Sequence, residues 1–293
     1  MKSQILLLSA LVVSAIGCSK KNHSETNAVK GCTDPHSFNY NSKATENDGS
    51  CREMAGCLGY AAGLPNSGSL GNTLNNTQND QFMSGEVGTQ KNFWQGVNAN
   101  VYILYEAKQD DRNAYASPDG NIFFGYYMFY YLVQQFSLLP DHSASPLPVD
   151  GVLAHEWGHR VQFTLGWTDY EQHSYKELEA DFFSGYYMGL AKQWYWSQIQ
   201  TYYSAIYASG DYDFNNPQHH GTPQQRLNAA YAGLQVAVYE LNNNVHYTYA
   251  QLHQIFNSKV HTDIGARTST DFKEVTYPAN LSRTYIESLY PHP

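Results

Sequence analysis

The stretch Val152-Leu153-Ala154-His155-Glu156-Trp157-Gly158-His159-Arg160-Val161 constrains this chain more than any other part of it. It sets the pattern His-Glu-x-x-His inside an apolar run of helix length. Residues four apart on an α-helix share a face, so His155 and His159 can offer both imidazoles to one metal ion. Glu156 projects beside them, placed to serve a metal-bound water rather than to be a ligand. The ends of the helix are also readable. Pro146 and Pro148 precede it, Asp150 is the expected N-cap, and Gly166 is the expected stop after Val161, Phe163 and Leu165. Gly158 is a weak helix former in the interior, which implies a neighbour packed closely against it. The competing reading is a pair of core histidines with hydrogen-bond partners, because the chain holds 12 His in 293 residues. A third ligand from elsewhere separates the two readings.

The beginning of the chain sets the compartment. Met1-Lys2-Ser3-Gln4 is followed by an apolar run from Ile5 to Ile16, then Gly17 and Cys18, which is the pattern of a secretory leader. The run is too short for a stable membrane span. Small residues before Cys18 resemble the lipobox of bacterial lipoproteins, with Ala15 where Leu is usual. That resemblance implies cleavage after Gly17, lipidation of Cys18 and an extracytoplasmic protein anchored to a bacterial membrane, the outer one being expected. The alternative is plain secretion with a nearby cleavage site. The net charge of −9 argues against nucleic acid as a partner, since that demands a basic face. With 25 Tyr and only 15% charged residues, the expected surface uses hydroxyls and ring faces in place of charge.

Four organisational units follow the leader (1–17). Residues 18–30 read as a polar tether. Residues 31–52 form a small module bounded by Cys32 and Cys51, the favoured disulfide pair in an oxidising compartment, with Cys57 left odd. The stretch Gly31-Cys32-Thr33-Asp34…Asn39-Tyr40-Asn41…Asp48-Gly49-Ser50-Cys51 resembles a short Cys-bounded repeat of secreted bacterial proteins. Asp34, Asn39, Asn41 and Asp48 offer oxygens suited either to Ca²⁺ or, the preferred reading, to turns. Residues 53–80 read as a linker, and 81–293 as the main domain. Within that domain Val101–Tyr105 reads as a buried strand. Asn113–Ser117 and Asn121–Phe124 read as a hairpin about Pro118-Asp119-Gly120, and Tyr126–Leu138 as a helix.

The third ligand is sought after the metal helix. In Ser174-Tyr175-Lys176-Glu177-Leu178-Glu179-Ala180-Asp181, Glu177 and Asp181 are again four apart on a helical pattern. One carboxylate can complete a two-His, one-Glu site, and the other can accept a ring N–H from a ligating His. The rival role for Glu177 is a capping box with Ser174; Thr168-x-x-Glu171 is an equally good box earlier in the chain. Further on, His219-His220-Gly221-Thr222-Pro223-Gln224-Gln225-Arg226 opens a helix, with Thr222 as N-cap and Gln225 closing a capping box. That helix runs to Asn242-Asn243-Asn244, and another spans Tyr249 to Val260. Residues 262–293 carry no readable signal.

Three motifs in this order, His155-Glu156-Trp157-Gly158-His159, Glu177-Leu178-Glu179-Ala180-Asp181 and His220-Gly221-Thr222-Pro223-Gln224-Gln225-Arg226, resemble the neutral zinc metallopeptidases. They are similar, more distantly, to the Glu-zincins with His-Glu-x-x-His and Glu-x-x-Ala-Asp, such as the CAAX prenyl proteases. The resemblance implies an α+β, predominantly helical, zincin-like domain with a small hairpin or sheet before the metal helix. It implies one Zn²⁺ per chain on His155, His159 and Glu177, with Glu156 as catalytic base and Asp181 behind the ligands. His220 is the expected donor to the substrate carbonyl oxygen, with His219 and Tyr175 as alternatives. The expected activity is hydrolysis of a protein or peptide by zinc-activated water. The Asn113–Phe124 hairpin would take an extended peptide along its edge. The alternative from another class is a surface lipoprotein that binds a partner and uses zinc only for structure.

Overall fold

In the computed structural model, which describes residues 28–33, 41–51, 55–56, 68–137, 147–167, 170–207, 220–267 and 271–293, one helix runs through the core. This is α3 (Leu147–Leu165), and every residue from Leu147 to Gln162 is buried. A helix covered on all sides must be the centre around which others pack. Cys18, Cys57, Thr168 and His219 lie outside the described residues, as do the leader and Asp34–Tyr40.

A five-stranded sheet precedes α3. Its strands in chain order are β3 (Ala55–Gly56), β4 (Ser69–Gly71), β5 (Asn100–Tyr105), β6 (Ala114–Ala116) and β7 (Asn121–Gly125), arranged β3-β6-β7-β5-β4. β6 and β7 form the expected antiparallel hairpin, with Gly120 in the left-handed region of its turn at φ +93°. β5 pairs parallel with β7, and β4 antiparallel with β5. The 53–80 linker reading is therefore corrected. Its two short segments pair onto open sheet edges, and the helix α1 (Thr77–Phe93) already begins inside it, capped by Asn76. Strands of two or three residues have too little pattern of their own to be read; the unpaired edge of a neighbour decides them. A separate parallel pair, β1 (Lys30–Gly31) with β2 (Glu46–Asn47), lies in the module bridged by Cys32 and Cys51.

The helices after the sheet are α2 (Tyr126–Ser137), α3, α4 (His173–Leu190), α5 (Trp196–Tyr207), α6 (Pro223–Asn243), α7 (Tyr249–Lys259) and the short α8 (Arg283–Ser288). Asp150 does not cap α3 but lies in its first turn, because Pro148 needs no N–H there and Leu147 is already buried. The stop is as expected: Gly166 has φ +69°, and Trp167 N donates to Gln162 O in a Schellman closure. The Thr222–Gln225 box caps α6 with Pro223 at its start.

Small residues let α3, α4 and α6 touch backbone to backbone. A Cβ added to Gly158 would stand 3.0 Å from Ala180 Cα, which accounts for the glycine inside α3. On the other side of α4, a Cβ on Gly233 of α6 would stand 1.9 Å from Phe182 O. The tyrosines correct another expectation. Tyr186, Tyr187, Tyr202, Tyr203 and Tyr249 are fully buried, and the first two hydroxyls donate to Glu240 and Glu86. Among the described residues no helix is long and apolar enough to cross a membrane.

Candidate metal centre

A buried helix carrying many polar side chains poses a question of accounting, since each buried polar group needs a partner. Asp150 of α3 is met by Lys192 at 3.2 Å. His155 Nδ1 lies 2.9 Å from Asp181 Oδ1, and His159 Nδ1 lies 2.8 Å from Gln162 Oε1. Arg160 donates to the carbonyl of Ser117 at 2.6 Å, tying α3 to the hairpin turn. Gln162 Nε2 donates to Lys176 O at 2.8 Å. Glu156 is different: it is fully buried and neither of its carboxylate oxygens has a hydrogen-bond partner.

The contact of Gly158 with Ala180 brings the acidic face of α4 onto the His pair. Glu177 Oε2 stands 3.5 Å from His155 Nε2, Glu177 Oε1 stands 3.4 Å from His159 Nε2, and the two Nε2 atoms are 3.1 Å apart. Glu177 is thus a member of the cluster and not a cap, since Ser174 lies inside α4 and the residue before the helix, Gln172, makes no side-chain cap. Asp181 accepts from His155 and also receives Arg226 of α6 through Nε at 2.7 Å and a second nitrogen at 3.0 Å.

These contacts fix the proton positions. Asp181 can only accept, so His155 Nδ1 carries the hydrogen. Gln162 turns its NH₂ toward Lys176 O and Glu179, so its oxygen faces His159 Nδ1, which must carry the hydrogen as well. Both Nε2 lone pairs then converge with the Glu177 carboxylate in a dry site. With both rings neutral, three acceptors face one another, an arrangement that a cation would satisfy. The spacing of 3.1–3.5 Å also fits one: tetrahedral ligands at zinc bond lengths of about 2.0–2.1 Å are about 3.3 Å apart. His155, His159 and Glu177 can hold a metal ion.

The electrostatics agree in sense. Burial pushes the Glu156 carboxyl up to about 8, with His155 opposing and Glu177 adding to the rise. Burial disfavours a charged His155, but Asp181 and Glu177 outweigh it and draw the ring up to about 9. A proton and a metal ion therefore compete for the same nitrogen. His159, which lacks a direct carboxylate behind it, is lowered by burial despite Glu177. Burial alone would raise Glu177, but His159, His220 and His155 hold it well below the usual carboxylate range.

His220 sits on the outward side of the cluster, with Nδ1 3.1 Å from Glu177 Oε2. Gly221 makes this approach possible, since a Cβ there would meet Leu178 at 2.9 Å and its φ is +91°. Tyr175 turns elsewhere, its ring edge-on to His261. The hairpin edge also needs correction as an open docking edge. β3 already pairs along β6, Ala55 with Ala116 and Gly56 with Tyr115. Comparisons with protein-family models, with curated proteins and with solved structures gave no match. The chemistry must be read from the residues themselves.

Arg226, Gln162 and Arg160 carry the site without having been assigned a role from sequence. Arg226 stands at the end of the third motif, and Gln162 lies one turn beyond His159 on the same helical face; those positions were the available signals.

Proposed function

We propose that this chain is a zinc-dependent peptidase of the zincin type, related to the neutral zinc metallopeptidases that its motifs resemble. The observation that carries the reading is Glu156, a buried carboxylate with no partner beside a complete ligand set. A structural metal site has no use for such a group, and a buried polar group without a partner is costly to keep. Two imidazoles and a carboxylate suit zinc, and three protein ligands leave one position open. Zinc held there would supply Lewis acidity, polarising a carbonyl and making water a nucleophile near neutral pH.

Glu156 takes the proton of the attacking water and returns it to the leaving amine. His220 donates to the carbonyl oxygen as negative charge develops. Asp181, held by Arg226, keeps the His155 ring in the ligating tautomer. The leader sequence, together with the Cys32–Cys51 bridge, supports an extracytoplasmic enzyme anchored through Cys18.

The test is zinc content and peptide-library cleavage for wild type beside Glu156→Gln. We expect about one zinc per chain in both, with cleavage falling by about 10²–10⁴ in the variant. Zinc in both with cleavage in neither would favour a structural site on a binding lipoprotein. No zinc in either would remove the site assignment.

A further inference from the structure

The two histidines are supported in different ways. His155 leans directly on a carboxylate, whereas His159 leans on an amide, Gln162. An amide is ambiguous support, because turning it over exchanges an acceptor for a donor. If Gln162 presented its NH₂ to His159 Nδ1, that nitrogen would have to accept. The hydrogen would move to Nε2, and the ligand lone pair would be lost. Something must therefore hold the amide one way round.

The structure shows what does so. Glu179 is fully buried and lies two residues from both Glu177 and Asp181, on another side of α4. Its Oε2 receives Gln162 Nε2 at 3.1 Å and the Tyr170 hydroxyl. Its Oε1 receives His253 Nδ1 at 2.6 Å. His253, from α7, is fixed in turn. Asn257 Nδ2 lies 3.0 Å from its Nε2, and the ring stacks on Trp167 with centroids 4.1 Å apart. The Gln162 side chain is fully buried. Hydrogen bonds to Lys176 O and Glu179 define its orientation.

We propose that Glu179 and His253 are positioning residues that hold the Gln162 amide in one orientation and thereby set the ligating tautomer of His159. This rests on the metal reading of the triad and extends it from three residues to a chain that ends on α7. Glu179 does not ligate; it acts through Gln162. The competing explanation is that Glu179 is a buried acid satisfied by its neighbours, with no bearing on the metal.

The test uses the full chain, with zinc affinity measured by chelator competition and the visible spectrum of the Co²⁺ form as a reporter of ligand geometry. The variants are Glu179→Gln and His253→Phe; the second keeps the ring stack on Trp167 and removes the hydrogen bond. We expect zinc affinity to fall about tenfold to a hundredfold in Glu179→Gln and less in His253→Phe. We also expect an altered Co²⁺ spectrum in both, with the metal-free His253→Phe protein folded but melting somewhat below wild type, since the buried Glu179 Oε1 loses its partner. If Glu179→Gln does not fold, His253→Phe alone decides. Wild-type affinity and spectrum in a folded variant would overturn the positioning role while leaving the metal site standing. Failure of the wild type to bind zinc would instead overturn the metal reading on which it rests.

Discussion

The Cys-bounded module and the three-helix core hold their shapes by opposite means. Among the described residues of 28–51 only Cys32 is buried. The module relies on the Cys32–Cys51 bridge, a two-residue strand pair and Asx turns, in which Asn41, Asn47 and Asp48 accept backbone N–H groups two residues on. Asn41 and Asp48 thus serve turns, the preferred reading of these residues. In the core, α3, α4 and α6 bring backbones into contact at glycines and alanines, and most buried polar side chains find a partner there. Where there is no burial, a covalent link restricts the unfolded chain instead. Where burial is complete, shape at single atoms decides stability.

The largest expected effect breaks the core. In Gly233→Val the new Cβ would stand 1.9 Å from Phe182 O, a backbone atom that cannot turn aside. We expect a loss of about 3 kcal/mol or more and a fall of about 10 °C in melting temperature. Zinc binding should weaken because Glu177 and Asp181 ride on the displaced helix. Thiol alkylation should still find the Cys32–Cys51 bridge formed; loss of the bridge would show that the two regions fold as one.

The second effect is confined to the module. Replacing both Cys32 and Cys51 by Ser removes a loop restraint worth about 3 kcal/mol in the chain-entropy account. Limited proteolysis should speed up within residues 28–51, while zinc affinity and the main melting transition stay unchanged. A lower main transition would mean that the module stabilises the core.

The smallest effect sharpens the view of the core as a dry interior. Glu240 receives the Tyr186 hydroxyl at 2.5 Å and Tyr247 N at 2.9 Å, yet burial pushes its carboxyl from 4.5 up to about 8. The folded state therefore binds a proton that the unfolded chain has released between those two values. Its contribution to stability is fully present below pH 4.5 and is lost as pH rises toward 8. Glu240→Gln, which stays neutral, should show a flatter melting temperature between pH 5 and 8 than wild type (pH range on the order of the shift itself). Parallel curves would place the proton elsewhere.

The local elements of the site follow from residue spacing. Residues four apart put His155 with His159, and Glu177 with Asp181, on single helical faces; Gly166 stopped α3, and Thr222 with Gln225 opened α6. These features depend on neighbours within one or two helical turns, so spacing alone reveals them. Gly158 likewise announced a close neighbour without naming Ala180. Which groups stand behind the His155, His159 and Glu177 cluster depends instead on how the helices pack. Arg226 reaches Asp181 across 45 residues and His253 reaches Glu179 across 74, distances over which no periodic pattern speaks. The same holds for the strands at 55–56 and 69–71, and for the C-terminal stretch, where Glu274 caps the start of α5 and Tyr290 packs on Phe93. Such partners are selected by what a folded neighbour leaves unpaired, and that quantity does not exist until the chain has closed.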